Sequence, residues 1–471
     1  MRTIFLWCTL AVSSLANAQT IVYKKTDAPG FASRSISKNE MKEDIAFWLK
    51  VMEESHVDLY HAISKDSLLK MENKLLEDVK DSLSQKQAVL IIGKLAAALN
   101  EGHIGLPSSA STDMTYANTL RFPFFIGRVK DSAWVVSYDV SAEHKVGAEA
   151  EIVAVNNIPV YLLNRQFSQY FGGLNAWRKQ QIGTYVRKLF FLNNLVSPFT
   201  VDAVTADGRK ISVVTEGFSR TQADSISKAL NATQTQKKTY SFEMRSDNIA
   251  YINYRSMEDW KEEPFEAFLR SSFTKIREAD ARGLIIDLRE NSGGNSYYGQ
   301  LFADYFSGKK RRFAGGMKWK VSSHYKNFIK EKGDEDVAYA SKPDGFMFTY
   351  QSKPKKPGNN PLRYKGNVVV LIGPGTFSSA NMFADGIKSY HLATVMGEPT
   401  AESGNDYGEM FNFMLPNTHI IARASTKMFT RADGDERNFD SVIPDITVVG
   451  PSQKKDTVLE TAVDWILKNK K

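Results

Sequence analysis

A serine placed just after a Gly-Pro-Gly turn, and a pair of adjacent glycines placed just after an apolar run, are the residues of this 471-residue chain best suited to chemistry. In Gly373-Pro374-Gly375-Thr376-Phe377-Ser378-Ser379-Ala380-Asn381, the apolar run 367–372 ends in the turn. The serines then open a segment whose Phe383 and Ile387 share a helical face. A serine in that position is either an N-cap or a nucleophile beside the positive end of a helix, where unpaired N–H groups stabilise an oxyanion. In Asp287-Leu288-Arg289-Glu290-Asn291-Ser292-Gly293-Gly294-Asn295, the run 283–287 ends in two glycines. Without a side chain, glycine lets a backbone N–H face a ligand, as an oxyanion donor must; the same pair also serves a plain tight turn.

A third segment follows, Met396-Gly397-Glu398-Pro399-Thr400-Ala401-Glu402-Ser403-Gly404, with Leu415-Pro416-Asn417 and Val442-Ile443-Pro444-Asp445 downstream. In this order the motifs at 287–294, 376–380 and 397–400 resemble those of the S41 peptidases, the C-terminal processing and tricorn-like proteases. The resemblance covers nearly the whole chain after its first residues. It implies a multidomain α/β protein: an N-terminal helical domain, a PDZ-like β-rich module and a catalytic domain with a crotonase/ClpP-like β-α-β superhelix. It also implies a serine endopeptidase with Ser378 as nucleophile, chosen over Ser379 because Asn381 then falls at the family's Ser-x-x-Glu spacing. The N–H groups of Gly293 and Ser379 are the expected oxyanion donors.

Two ways of activating the serine occur in that family. The processing branch places a lysine twenty-five residues after the serine, but here that position is Ser403, and no lysine lies between Lys388 and Lys427. The tricorn-like branch takes a histidine from a motif close to Gly-His-Thr, which Gly102-His103-Ile104 resembles apart from its isoleucine. A histidine suits the task of accepting a serine proton, so His103 is the expected base. The pattern also implies a carboxylate shortly before the C-terminal Pro-Asp; Glu436 is preferred there over Asp440. The rival readings are a processing protease with a displaced lysine, Lys388 or Lys427, and a silent peptide-binding relative. His56, His61, His144, His324, His391 and His419 show no metal-ligand spacing, so neither a metal nor another cofactor is expected.

The elements that must position these groups are legible in outline. Residues 37–117 read as the helical domain: Met41, Ile45, Trp48 and Met52 share one face, as do Ala88, Ile91, Leu95 and Leu99. Ser37 followed by Glu40 fits a capping box. Residues 118–216 switch to short strands, with 146–160 resembling the centre of a PDZ domain and 164–196 a polar helical insertion. A polar linker at 217–238 leads to 240–471, where strands alternate with helices as in layered α/β folds. The proline- and lysine-containing stretch 340–365 reads as a loop or flap.

At the N-terminus, Arg2, an apolar run from Ile4 to about Val12 and Ala16-Asn17-Ala18 form the pattern of a signal peptide covering 1–18. The chain is therefore expected to be exported, to the periplasm or the exterior, without a membrane span. Its one cysteine, Cys8, lies in that leader, which leaves the mature chain without thiol chemistry. The net charge of +8 invites a polyanion, yet the basic residues are scattered. The dense run Lys309-Lys310-Arg311-Arg312 reads as a solvated loop, so the expected partner is a peptide or unfolded protein rather than nucleic acid.

Overall fold

The computed structural model describes residues 33–141, 144–222, 225, 238–261, 263–333, 336–450 and 456–469. The expected leader, 1–18, and most of the expected linker lie outside the described residues. The chain forms two compact units: residues 238–409 with 426–471, and residues 20–237 with 410–425. The helical stretch and the strand-rich stretch, read separately from sequence, thus fall in one unit. Two strands, Asp406–Met414 and Ile421–Thr430, carry the chain from the first unit into the second and back.

The N-terminal unit opens with the Lys38–Ser55 helix, whose cap is the expected box. Ser37 Oγ accepts the Glu40 N–H at 3.2 Å, and the Glu40 carboxylate accepts the Ser37 N–H at 2.9 Å. These two bonds satisfy donors that a helix start otherwise leaves open. Met41, Ile45, Trp48 and Met52 are all buried, as the three- and four-residue spacing requires. The strands Phe124–Val129, Trp134–Asp139, Glu151–Val155, Phe199–Val204 and Lys210–Thr215 form an antiparallel sheet in that order. Helices Val160–Phe167 and Asn175–Leu192 pack on it. The stretch read as a polar insertion contributes Ile182, Val186, Leu189 and Phe190 to that core, together with Trp134, Phe122 and Phe199.

The C-terminal unit is built on a six-stranded sheet in the order Ile446–Thr447, Thr394–Gly397, Asn367–Ile372, Gly283–Asp287, Ile249–Tyr254, Tyr240–Met244. All pairs are parallel except the last. Side chains alternate across a strand, so a sheet covered on both faces needs apolar residues at every position. Accordingly Leu284, Ile286, Val368 and Val370 enter one core with helices Phe265–Glu278 and Ser379–Ser389. Ile285, Val369 and Leu371 enter the other, with Val458, Ala462 and Ile466 of the Thr457–Lys468 helix. Arg289 fastens that helix: it donates to Asp287 at 2.6 Å and to Asp456, the helix N-cap, at 2.7 Å.

Lys309 and Lys310 of the basic run are exposed in a loop as expected, but its two arginines depart from that reading. Arg311 is buried, paired with Asp304 and donating to the carbonyls of Ser307 (3.1 Å) and Lys309 (3.2 Å). Arg312 donates to the carbonyls of Ala432 (2.7 Å), Asp433 (2.7 Å) and Ser352. A guanidinium carries five donors in a fixed fork, which suits it to closing several loop carbonyls at once. The stretch 340–365 is mainly loop, as read, but contains the Met347–Gln351 strand, paired antiparallel with Gly316–Lys320.

Candidate active site

Parallel strands Gly283–Asp287 and Asn367–Ile372 are neighbours, with Asp287 opposite Leu371, so both deliver their following turns to the same edge of the sheet. Open parallel sheets bind ligands at such carboxyl edges. Thr376 is buried; its Oγ1 donates to the Leu288 carbonyl at 2.8 Å and accepts the Gly373 N–H at 3.1 Å. The Phe377 N–H donates to the Asn291 carbonyl at 3.0 Å, and Ser379 Oγ donates to the Gly294 carbonyl at 2.6 Å. These bonds join the glycine turn to the serine turn.

The contact is close enough to require glycine. A Cβ at Gly293, whose φ is +100°, would lie 2.8 Å from Ser378 Cβ and 2.9 Å from Ser379 N. Its N–H donates to Asn291 Oδ1 at 2.9 Å, while Asn291 Nδ2 donates to the Tyr254 carbonyl at 2.8 Å. The expected oxyanion donor is therefore beside the serine, but its hydrogen is engaged within its own turn.

Ser378 has φ 55° and ψ −128°. This is left-handed territory that costs a non-glycine residue about 1–3 kcal/mol and clusters at functional sites. Its side chain makes no capping bond to the Ser379–Ser389 helix, so the N-cap alternative is excluded. The residue stands at the positive end of that helix, with Phe383 and Ile387 buried on the core face as expected. The Ser378 N–H donates to Glu402 Oε2.

Glu402 was missed in the sequence. It is buried, and its carboxyl is pushed well above the usual range, first by loss of water and then by the neighbouring Asp406 carboxylate, to which it hydrogen-bonds. Its loop is held from two sides. Asn381 Nδ2 donates to the Ser403 carbonyl at 2.7 Å, and the Gly404 N–H donates to the Asp440 carbonyl at 2.9 Å. Thr400 Oγ1 accepts the Val442 N–H at 3.0 Å. The available signal was its place next to Ser403, the position where the processing branch keeps its lysine.

Glu436, the expected orienting acid, is exposed, and its carboxylate pairs with Lys318 Nζ at 3.2 Å. Asp440 is exposed too and serves the loop through its backbone. Lys388 pairs with Asp445 and lies ten residues along the helix from Ser378, about 15 Å at the helical rise. Lys427 pairs with Glu409 at 3.0 Å and sits 4.1 Å over the Trp319 ring.

His103 belongs to the N-terminal unit, where it is buried. Its loop is tightly fixed. Glu101 pairs with His56 and accepts the Ser425 hydroxyl at 2.9 Å, and the Gly102 carbonyl accepts Trp177 Nε1–H at 3.1 Å. Arg178 donates to Asn100 Oδ1 at 2.6 Å. Gly172 comes so near that a Cβ there would lie 2.5 Å from Glu101 N. The segment read as an insertion thus grips the loop that carries the histidine.

A strained serine at a helix start thus lies against a glycine turn on the edge of a parallel sheet. Residues 248–448 match the model of peptidase family S41. No curated protein sequence matches the chain. Among solved structures, mature CPAF complexed with lactacystin is similar at TM-score 0.63 and 14% identity, over 92% of this chain and 97% of that one. The structure of mature CPAF is similar at TM-score 0.59 and 16% identity, over 87% of this chain and 92% of that one. These likenesses concern the fold.

Proposed function

We propose that the protein is an exported serine endopeptidase acting through an acyl-enzyme, with Ser378 as nucleophile and His103 as base. The observation that carries this is the backbone of Ser378, strained at φ 55° at the helix start with its side chain left out of the cap. Ser378 Oγ attacks a peptide carbonyl while His103 takes its proton; the same imidazole then protonates the leaving amine, and water repeats the cycle. The oxyanion receives the Ser379 N–H at the positive helix end, and the Gly293 N–H as it is released from or shared with Asn291 Oδ1. For Glu436 to orient the imidazole, its pair with Lys318 has to open. The 118–216 segment, as a PDZ-like module, would hold a peptide by adding it as a strand to a sheet edge. The substrates are peptides or unfolded proteins. Among the described residues no helix is long and apolar enough to cross a membrane.

A fluorophosphonate probe tests the reading directly. It is expected to label the mature protein and the Ser379→Ala variant but not Ser378→Ala. Labelling that survives Ser378→Ala and disappears in Ser379→Ala would move the nucleophile by one residue. No labelling of wild type would favour a silent peptide-binding protein.

A further inference from the structure

We infer that Glu402 is the positioning residue of the nucleophile: through its hydrogen bond to the Ser378 N–H it holds the serine in its left-handed conformation, and Asp406 holds Glu402 in turn. The inference rests on Ser378 being the nucleophile and goes beyond that assignment.

Ser378 at φ 55° and ψ −128° is a conformation that surrounding contacts must impose. Its hydroxyl makes no cap bond, and its Cβ is confined by the Gly293 backbone on one side. The contact that fixes the peptide plane before the serine is its own N–H, aimed at Glu402 Oε2. Turning that N–H away rotates φ and swings Oγ off the helix end, so the acceptor sets where the nucleophile points. Glu402 can do this because its loop is anchored by Asn381, Asp440 and Thr400 and does not follow the serine.

The side chain does this in its neutral form. A protonated Glu402 has a carbonyl oxygen to accept the Ser378 N–H and a hydroxyl to donate to the Asp406 carboxylate, so both bonds are satisfied together. Burial favours that form, in keeping with the upward shift of its carboxyl. A glutamine in this place reproduces the arrangement, with its amide oxygen toward Ser378 and its NH2 toward Asp406.

The experiment compares Glu402→Gln and Glu402→Ala in the full mature chain by the second-order rate of fluorophosphonate labelling and by thermal melting. Glu402→Gln is expected within about tenfold of wild type, and Glu402→Ala slower by at least about a hundredfold. A second measurement reads the strain itself. At this φ and ψ glycine is unstrained and alanine is not, so Ser378→Gly is expected to melt a few degrees above Ser378→Ala. That gap should close when Glu402→Ala is added, because the released turn no longer imposes the conformation. Glu402→Ala labelling at the wild-type rate overturns the inference. So does a folded Glu402→Gln as inactive as Glu402→Ala, since a negative charge would then be the requirement. If Glu402→Ala does not fold, Glu402→Gln decides: labelling within tenfold with the Gly–Ala gap retained supports the clamp, and loss of either overturns it. Failure of the underlying reading looks different, because Ser378→Ala itself would still be labelled.

Discussion

Thr376 Oγ1 donates to the Leu288 carbonyl at 2.8 Å while accepting the Gly373 N–H at 3.1 Å, so one hydroxyl joins the turns that follow two adjacent strands. The Thr-x-Ser motif is usually read for its serine. Its threonine is the fastening between the serine turn and the glycine turn, and it is buried with both of its bonds made.

Replacing it shows what that fastening contributes. Thr376→Val keeps the shape but leaves a buried N–H and a buried carbonyl without their partner, a loss of about 2–4 kcal/mol. Activity should fall with stability as the turns separate. Thr376→Ser keeps the hydroxyl and should lose much less of both. Chemical denaturation and kcat/KM on the two variants check this; equal losses would show that the methyl group, not the hydroxyl, matters.

Gly293 and Gly208 make a matched pair, since both have positive φ, +100° and +88°. A Cβ on Gly208 meets nothing within 4 Å, whereas one on Gly293 runs into Ser378 and Ser379. Gly208→Ala should therefore show only backbone strain, about 1 kcal/mol, with activity intact. Gly293→Ala should lose at least about a hundredfold in kcat and melt lower as well. Similar melting losses with intact activity in both would mean the two turns can part without harm to catalysis.

The parts of this architecture that were legible in the sequence are those fixed by local rules. The Ser37–Glu40 box and the Met41, Ile45, Trp48, Met52 face follow from helix geometry alone. The strands Gly283–Asp287 and Asn367–Ile372 read as continuous apolar runs because both of their faces are covered. Motif order singled out Ser378 and Gly293, whose turns the structure brings together. Glu402 was not, because a glutamate among Thr400, Ala401, Ser403 and Gly404 looks solvated until tertiary contacts close over it. Arg311 and Arg312 failed for the same reason: their acceptors are Asp304 and backbone carbonyls reaching from Ser307 to Asp433, which no local pattern announces.

The raised carboxyl of Glu402 carries a pH signature in stability. An unfolded glutamate releases its proton near ~4.3, but the folded one holds it to higher pH. Above the unfolded value the native state therefore binds more protons than the unfolded state, and stability falls as pH rises. The contribution is complete below about pH 4 and is lost as pH climbs through the folded value. Glu402→Gln cannot titrate, so its melting temperature minus that of wild type should grow as pH rises above the unfolded glutamate value. Parallel curves over that range would show that Glu402 is ionised in the folded protein.

The final prediction concerns the base. If His103 takes the serine proton, kcat/KM must fall on the acid side as the imidazole is protonated. His103→Ala should lose several orders of magnitude. Its loop should survive the change, because Glu101, Gly102 and Asn100 hold it through His56, Ser425, Trp177 and Arg178 without using the imidazole. Lys388→Ala should stay within about tenfold of wild type, since that lysine sits at the far end of the helix from Ser378 and is paired with Asp445. A lysine base would behave otherwise: it works only when neutral, so activity would rise toward a higher pH as a burial-lowered ammonium lost its proton. The pH profile of wild type and the two variants, measured with one peptide substrate, separates these outcomes. An active His103→Ala enzyme whose acid limb matches wild type would remove the histidine from the mechanism.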